Sequence, residues 1–400
     1  MRFLSGCLAI ATLTALALPA AAESAISTEI GERGIQPTID RLSALTAPTE
    51  ADRFALGGLL FLRATESALQ ARWKVGLSDS LAMIPFLRLP VPENPAPQPF
   101  DPALIASIFR QAADGMEAAR AALAPIPEGA DFGVEIALSD LWFDINASGT
   151  RDPGEDLAEV AGPLVMGWRW AQRDPATPLP VVRFDGSDVA WLAAYTHLLS
   201  GLSEIVLAYD PTASITRVTE ARAAMATVTG TIDADDYGIG TAVDVAAIVL
   251  GALDQQPDAA RLLRARDHLQ SMIDGNRRFW SAVGRETDND REWIPNDRQV
   301  SALGLEFPQG MAATWQAVLA DGEALLKGDL LIPYWRLGST GGVNLGKVFT
   351  DPRPVDVAGW IQGWGALPYL ESGRQISGEN LDRFEALVMG ESALFMVMLN

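Results

Sequence analysis

Thr49 and Asp52 stand three residues apart at the head of an apolar pattern that runs to about Lys74, and this pattern most restricts what the chain can fold into. A threonine hydroxyl that accepts from the third helical N–H, with an acid there to bind back, is a variant of the capping box. Behind it Phe54, Gly58, Phe61, Leu62, Thr65 and Leu69 recur at three- and four-residue steps, the period of a helix with one buried face. A shorter helical pattern over 38–45 comes before it. Together they predict an N-terminal helical hairpin within residues 23–84.

The rest of the chain is built in the same way. Residues 85–102 hold seven prolines and read as an extended connector or domain boundary. The main helical domain is then expected over 103–400. Asp101-Pro102 is an N-cap with a first-turn proline for an amphipathic helix carrying Leu104, Ile108, Met116 and Leu123, which Pro125 and Pro127 stop. Further helices are expected from the end of the loop at 155 to about 171, disturbed at Gly162-Pro163, and near 188–208, 213–227, 242–253, 257–283, 309–327, 355–362 and 378–397. Alternation of Phe132, Val134, Ile136 and Leu138 with smaller or polar residues predicts a strand over 132–138. Extended pieces are expected near 179–184 and 330–335. The fold class is mostly α: an irregular multi-helical arrangement of helical hairpins or an array, with a few short strands. No self-similar period of about 34 or about 40 residues places it in a named solenoid family.

Residues 1–22 carry Arg2, an apolar run from Leu8 to Leu18, the helix-breaking Pro19 and three alanines before Glu23. This is the pattern of a cleaved secretory signal, and it predicts a periplasmic or secreted product. Leu4-Ser5-Gly6-Cys7 has lipoprotein-box residues, but Cys7 precedes the apolar run and reads as a signal-segment cysteine. Because Cys7 is the only cysteine, a mature chain has no disulfides, thiol nucleophile or cysteine metal site. With 51 acidic residues against 30 Lys and Arg, the net charge is -21, which repels nucleic acid and anionic lipid. No later apolar run is expected to reach the ~18 residues that a membrane span needs.

One stretch carries a specific chemical signal. Residues 144–155 place Asp144, Asn146 and Ser148 at the first, third and fifth positions of a twelve-residue loop. Gly149 is sixth, Thr150 seventh, Asp152 ninth and Glu155 twelfth. Calcium takes six to eight hard oxygens, and a short loop supplies them when alternate side chains point inward and the backbone reverses at a glycine. The stretch resembles EF-hand and dockerin-type calcium loops over these residues. The resemblance implies Ca2+ held by Asp144, Asn146, Ser148, the Thr150 carbonyl, Asp152 through a water, and Glu155 through both oxygens. Arg151 stands where a paired hand has an apolar eighth residue, and Pro153 stiffens the exit. A lone loop entered from a strand, acting as a staple, is therefore expected; the competing expectation is a surface connection of Asx turns.

Other constellations are less complete. Asp233 to Asp244 has a glycine sixth and an acid twelfth, but Tyr237 is fifth; it suits a second ion site or a helix-capping turn. Glu286, Asp288, Asp290 and Glu292 alternate, so an extended backbone puts all four on one side, as a cation site or as an exposed acidic loop. Gly341 to Lys347 has the first part of a P-loop, with Val348 where Ser or Thr is required; its glycines read as a tight turn. His197 and His268 are the only histidines, and there is no HExxH or GxSxG pattern. His197 has small neighbours on its helical face, and Asp185 and Asp188 precede that helix, either as caps, Asp188 the better one, or as acid-base partners. Trp360 and Trp364 lie among glycines, as a packing stripe if helical or a stacking surface if exposed.

The expected function is an exported, calcium-stabilised helical binding or interaction protein, taking an unknown protein or glycan ligand on a face rich in tryptophan and acidic groups. A periplasmic glycan-directed hydrolase using paired carboxylates such as Asp290 and Glu292 is one alternative. A structural envelope component is another.

Overall fold

A computed structural model of the chain describes residues 25–78, 81, 84–166, 168–229, 239–305 and 307–388. The expected signal segment, the stretch 233–238 and the end of the last expected helix lie outside these residues.

The capping box forms as the sequence predicts. Thr49 accepts from Asp52 N at 3.1 Å, and the Asp52 carboxylate accepts from Thr49 N at 3.0 Å. They open α3 (Glu50–Lys74). In place of the one helix expected before it stand α1 (Ala25–Arg33) and α2 (Ile35–Ser43), hinged at Gly34 with φ +83°. A side chain at Gly34 would meet the Trp142 ring at 2.9 Å, so the hinge and the close approach both require glycine.

The single buried face expected of α3 is not what forms. No residue from Ala51 to Trp73 is exposed, because α3 crosses the interior, touching α2, α4 (Leu104–Leu123), β1 (Gly133–Ala137) and α7 (Asp188–Ala208). Gly57 lets Leu123 of α4 come close, since an added Cβ would lie 2.7 Å from its methyl group. Phe54 and Leu69 are buried as expected. Gly58, Phe61, Leu62 and Thr65 are half-buried.

The segment 85–102 is irregular, yet Leu89 and Val91 sit in the same buried cluster as Ile30, Phe54 and Leu123. Arg72, fully buried near the end of α3, donates from Nη1 to the Leu89 carbonyl at 2.7 Å. Asp101 accepts from Ala103 N at 2.9 Å and so shapes the turn leading into α4.

After β1 come α5 (Leu157–Met166) with Pro163 inside it, α6 (Trp168–Gln172) and β2 (Val181–Asp185). The strands β1 and β2 pair antiparallel, with Gly133 opposite Asp185 and Ala137 opposite Val181. α7 follows. It is long and apolar enough to cross a membrane by length and composition, and here more than half of its apolar window is buried against α10 (Ala259–Val283) and α4. A hairpin of α8 (Thr212–Thr229) and α9 (Ile239–Leu253) lies between α7 and α10 in the sequence.

The last part comprises α11 (Met311–Lys327), β3 (Ile332–Pro333), β4 (Gly341–Val343), α12 (Leu345–Thr350), α13 (Val357–Gln362), β5 (Leu370–Ser372) and α14 (Glu379–Leu387). The fold is mostly α, irregular and multi-helical, with a two-stranded and a three-stranded antiparallel sheet among the described residues. Gly341 and Gly342 do not form the expected tight turn. They are the central strand of the second sheet, where a Cβ would meet the carbonyls of Glu371 and Ile332 at 2.7 and 2.2 Å. Asn344 caps α12 by accepting from Lys347 N, and Lys347 pairs with Glu371. The partial P-loop is thus used up in packing.

Candidate metal centre and acidic cluster

The loop 144–155 hangs between two closely held ends. Phe143 N donates to Glu155 O at 2.8 Å, Leu157 N donates to Leu141 O at 2.9 Å, and Trp142 bridges Asp156. Ile145, the second loop residue, is fully buried and anchors the loop in the core. Arg151, the eighth, turns outward to pair with Asp156 and donate to the Ser139 carbonyl at 2.8 Å. α3 grips the loop from beneath: Asp144 N donates to Glu66 Oε2 at 3.1 Å, and Gln70 Nε2 donates to Asp144 O at 2.6 Å.

Inside this frame the loop's oxygens turn toward one another. Gly149 takes φ +76°, and its N–H reaches Asp144 Oδ2 at 3.0 Å while Ser148 N reaches Asp144 Oδ1 at 2.8 Å. Ser148 Oγ lies 3.0 Å from the Thr150 carbonyl and 3.1 Å from Asp152 Oδ2. These are hydrogen-bond distances of the Ser148 hydroxyl, and the same separation of about 3 Å is what neighbouring oxygens take on a calcium ion with bonds of about 2.4 Å. Asn146 Nδ2 donates to Asp152 Oδ2 at 2.8 Å. Glu155 is 2 % exposed. Its Oε1 accepts from Ile145 N at 2.7 Å and Asn146 N at 3.3 Å, and its Oε2 from Asp152 N at 2.8 Å. Burial raises its carboxyl above the ordinary range, those N–H groups lower it, and nearby Asp144 raises it further. Among the described residues no Lys or Arg pairs with Asp144, Asp152 or Glu155. All-oxygen donors with three carboxylates suit a hard cation and not zinc or copper.

A second group joins two candidates that lie a hundred residues apart in the sequence. One oxygen each from Asp185, Glu286 and Glu292 lies within 4.8 Å of the others. The juxtaposition is made by the end of β2, where Arg183 N donates to Arg291 O at 3.0 Å and Arg183 bridges Glu292. The alternation expected to put four acids on one side is broken at Arg291, whose φ is +60°. Glu286 and Glu292 turn inward, while Asp288 and Asp290 stay about half exposed with Arg183 3.8 Å from each. Burial raises the carboxyls of Glu286 and Glu292, and hydrogen bonding from Arg291 lowers Asp290.

Asp188 does not cap α7. It is the first helical residue, almost completely buried, and its Oδ2 accepts from Asp185 N at 2.9 Å. Burial, and then Asp185, push its carboxyl well above the usual range. Four carboxyls drawn together in this way can ease their repulsion by holding protons or a cation. A polar cavity of about 600 Å³ beside them is lined by Asp185, Glu286, Asp288, His197, Arg120 and Arg278 among others. His197 bonds to His268 there and to neither Asp185 nor Asp188.

Of the other candidates, Asp244 pairs with Arg222 at 2.9 Å, and residues 233–238 are outside the described set. The tryptophan pair divides: Trp360 stacks on Tyr369 at 5.6 Å, whereas Trp364 is 56 % exposed. Trp335, with Arg336 over its ring, is 68 % exposed. No family model, curated protein or solved structure matches the chain.

Proposed function

We propose that this chain is an exported, calcium-stabilised binding protein. One observation carries the reading: the Glu155 carboxylate is buried at the foot of the loop, accepting from the backbone N–H groups of Ile145, Asn146 and Asp152, with no basic side chain paired to it among the described residues. Calcium at Asp144, Asn146, Ser148, the Thr150 carbonyl, Asp152 and Glu155 would supply the charge that this burial lacks. It would also tie α3 and α5 together, since Glu66 and Gln70 hold Asp144 and Glu159 holds Gly154. The chemistry is structural, and the exposed tryptophans and the cavities are left for a protein, glycan or small-molecule ligand.

The test is thermal unfolding in calcium and in chelator. With a dissociation constant near 10⁻⁴ M, about 10 mM calcium adds about 2.7 kcal/mol to the native state. Glu155→Gln is expected to remove most of that difference, and identical melting curves with no calorimetric binding would refute the reading.

A glycan-directed hydrolase is the second reading, because Asp290 is held ionised while Glu292, two residues on, is held toward its neutral form, the split an acid and a base require. It ranks lower because the polar cavity shows no tryptophan in its wall beside the carboxylates. Turnover of chromogenic glycosides that Glu292→Gln abolishes would reverse the order.

A further inference from the structure

Gly58 sits in the middle of α3, and a Cβ built there meets no atom of the described residues within 4 Å. A glycine inside a long helix is unfavourable relative to alanine, and neither a positive φ nor a close neighbour requires this one. Its neighbour Gly57 is needed, because Leu123 occupies that side. What lies over Gly58 is a cavity of about 590 Å³ between α3, the β1–β2 pair, α7 and the segment 293–305. This is the size of a small-molecule site.

The wall is apolar and aromatic, with Trp170, Trp191 and Trp293 contributing rings. Arg173 is the only charged side chain in it among the described residues. Arg173 lies over Trp170 at 4.7 Å and donates from Nη1 to the Thr177 carbonyl at 2.9 Å, with no carboxylate paired to it among the described residues. In a chain of net charge -21, a cation beside an apolar cavity without an acidic partner selects for an anion locally against the field of the whole surface. Trp293 Nε1 is buried in the same region without an acceptor, a state that protein interiors normally avoid.

We propose that this cavity is a binding site for an amphiphilic carboxylate, its aliphatic tail over Gly58 and its carboxylate on Arg173. Tail burial supplies the drive, and the guanidinium supplies a paired, charge-assisted contact that a neutral or cationic head group lacks. The site deepens the binding-protein reading by naming its ligand class, and it is independent of calcium. Loss of ligand binding with calcium stabilisation intact, or the reverse, tells which of the two has failed.

Dodecanoate, dodecan-1-ol, dodecyltrimethylammonium and acetate titrated into the purified full chain, followed by calorimetry and tryptophan fluorescence, test it. Dodecanoate is expected to bind one to one and roughly tenfold or more tighter than the trimethylammonium, with acetate silent. Arg173→Gln should weaken dodecanoate roughly tenfold and leave dodecan-1-ol within about twofold. Gly58→Leu, which places its side chain in open space, should weaken dodecanoate and dodecan-1-ol at least about tenfold with no fall in melting temperature. Hydrogen exchange on the unmutated chain should slow at residues 54–62 when dodecanoate is added. A cavity closed by the chain itself or by a second copy would leave dodecanoate unbound, and that result overturns the proposal, as does binding that ignores Gly58→Leu or does not protect 54–62. Equal binding of anion and cation overturns the role of Arg173.

Discussion

Nδ1 of His197 on α7 lies 2.9 Å from Nδ1 of His268 on α10. At that distance one nitrogen donates and the other accepts, so the pair holds a single proton between the two Nδ1 atoms. Burial first, then Arg120, His268 and Arg278, push His197 down to about 3. Burial and Arg120 lower His268 as well, against weaker opposing pulls from Glu204 and Asp267.

A depressed histidine stabilises the fold above its unfolded value of about 6.5 and loses that contribution as pH falls toward the folded value. The ring resonances of His197 are therefore expected to stay constant from pH 8 to pH 5. His197→Gln should flatten the fall in melting temperature between pH 6.5 and about 4. A ring that titrates near 6.5 would contradict the geometry.

Calcium affinity should depend on α3, which supplies no ligand. Gln70 and Glu66 hold the carbonyl and N–H of Asp144, and groups that orient a ligand typically govern about ten- to a hundredfold in affinity. Gln70→Ala is expected to weaken calcium about tenfold by calorimetry while sparing every donor.

Asp188, Glu286 and Glu292 are all raised by burial. Above about pH 4 the unfolded chain releases these protons while the fold retains them, so their contribution to stability is full below about pH 4 and is lost as pH rises through the raised values. Asp188→Asn keeps an acceptor for Asp185 N and removes the charge. It should raise the melting temperature at pH 8 more than at pH 5, measured by calorimetry.

Arg72 ties the proline-rich segment to α3 through the Leu89 carbonyl. Replacing it with methionine keeps much of the volume and strips a buried carbonyl of a charged donor, at a cost of about 2 to 3 kcal/mol. Urea denaturation measures the loss. A change within about 0.5 kcal/mol would mean that the segment is held by Leu89 and Val91 packing alone.

Much of the local structure is legible without coordinates, and particular residues say why. Thr49 and Asp52 cap α3 through contacts three residues apart. The alternation at 132–138 and the inward pattern at 144–155 are equally local, because each is set by the backbone period or by a single reversal at Gly149. The failures are long-range. Nothing near Asp188 in sequence announces that its carboxylate will be buried beside Asp185 and facing Glu286. Nothing around Gly341 and Gly342 shows that the carbonyl of Glu371 will close on the first and that of Ile332 on the second.

The sequence by itself determined that this protein is mostly α, where its long helices α3, α4, α7, α10 and α11 lie to within a few residues, and which twelve residues turn about Gly149, since these depend on hydrogen bonds and periods spanning a few residues. Only the tertiary structure decided that α3 is covered at least in part on every side, that two acidic stretches a hundred residues apart meet, that the histidines bind each other, and that the space over Gly58 stays open beside Arg173. Those outcomes depend on which distant surfaces pack together, and burial reaches a residue from elements that its neighbours in the chain do not encode.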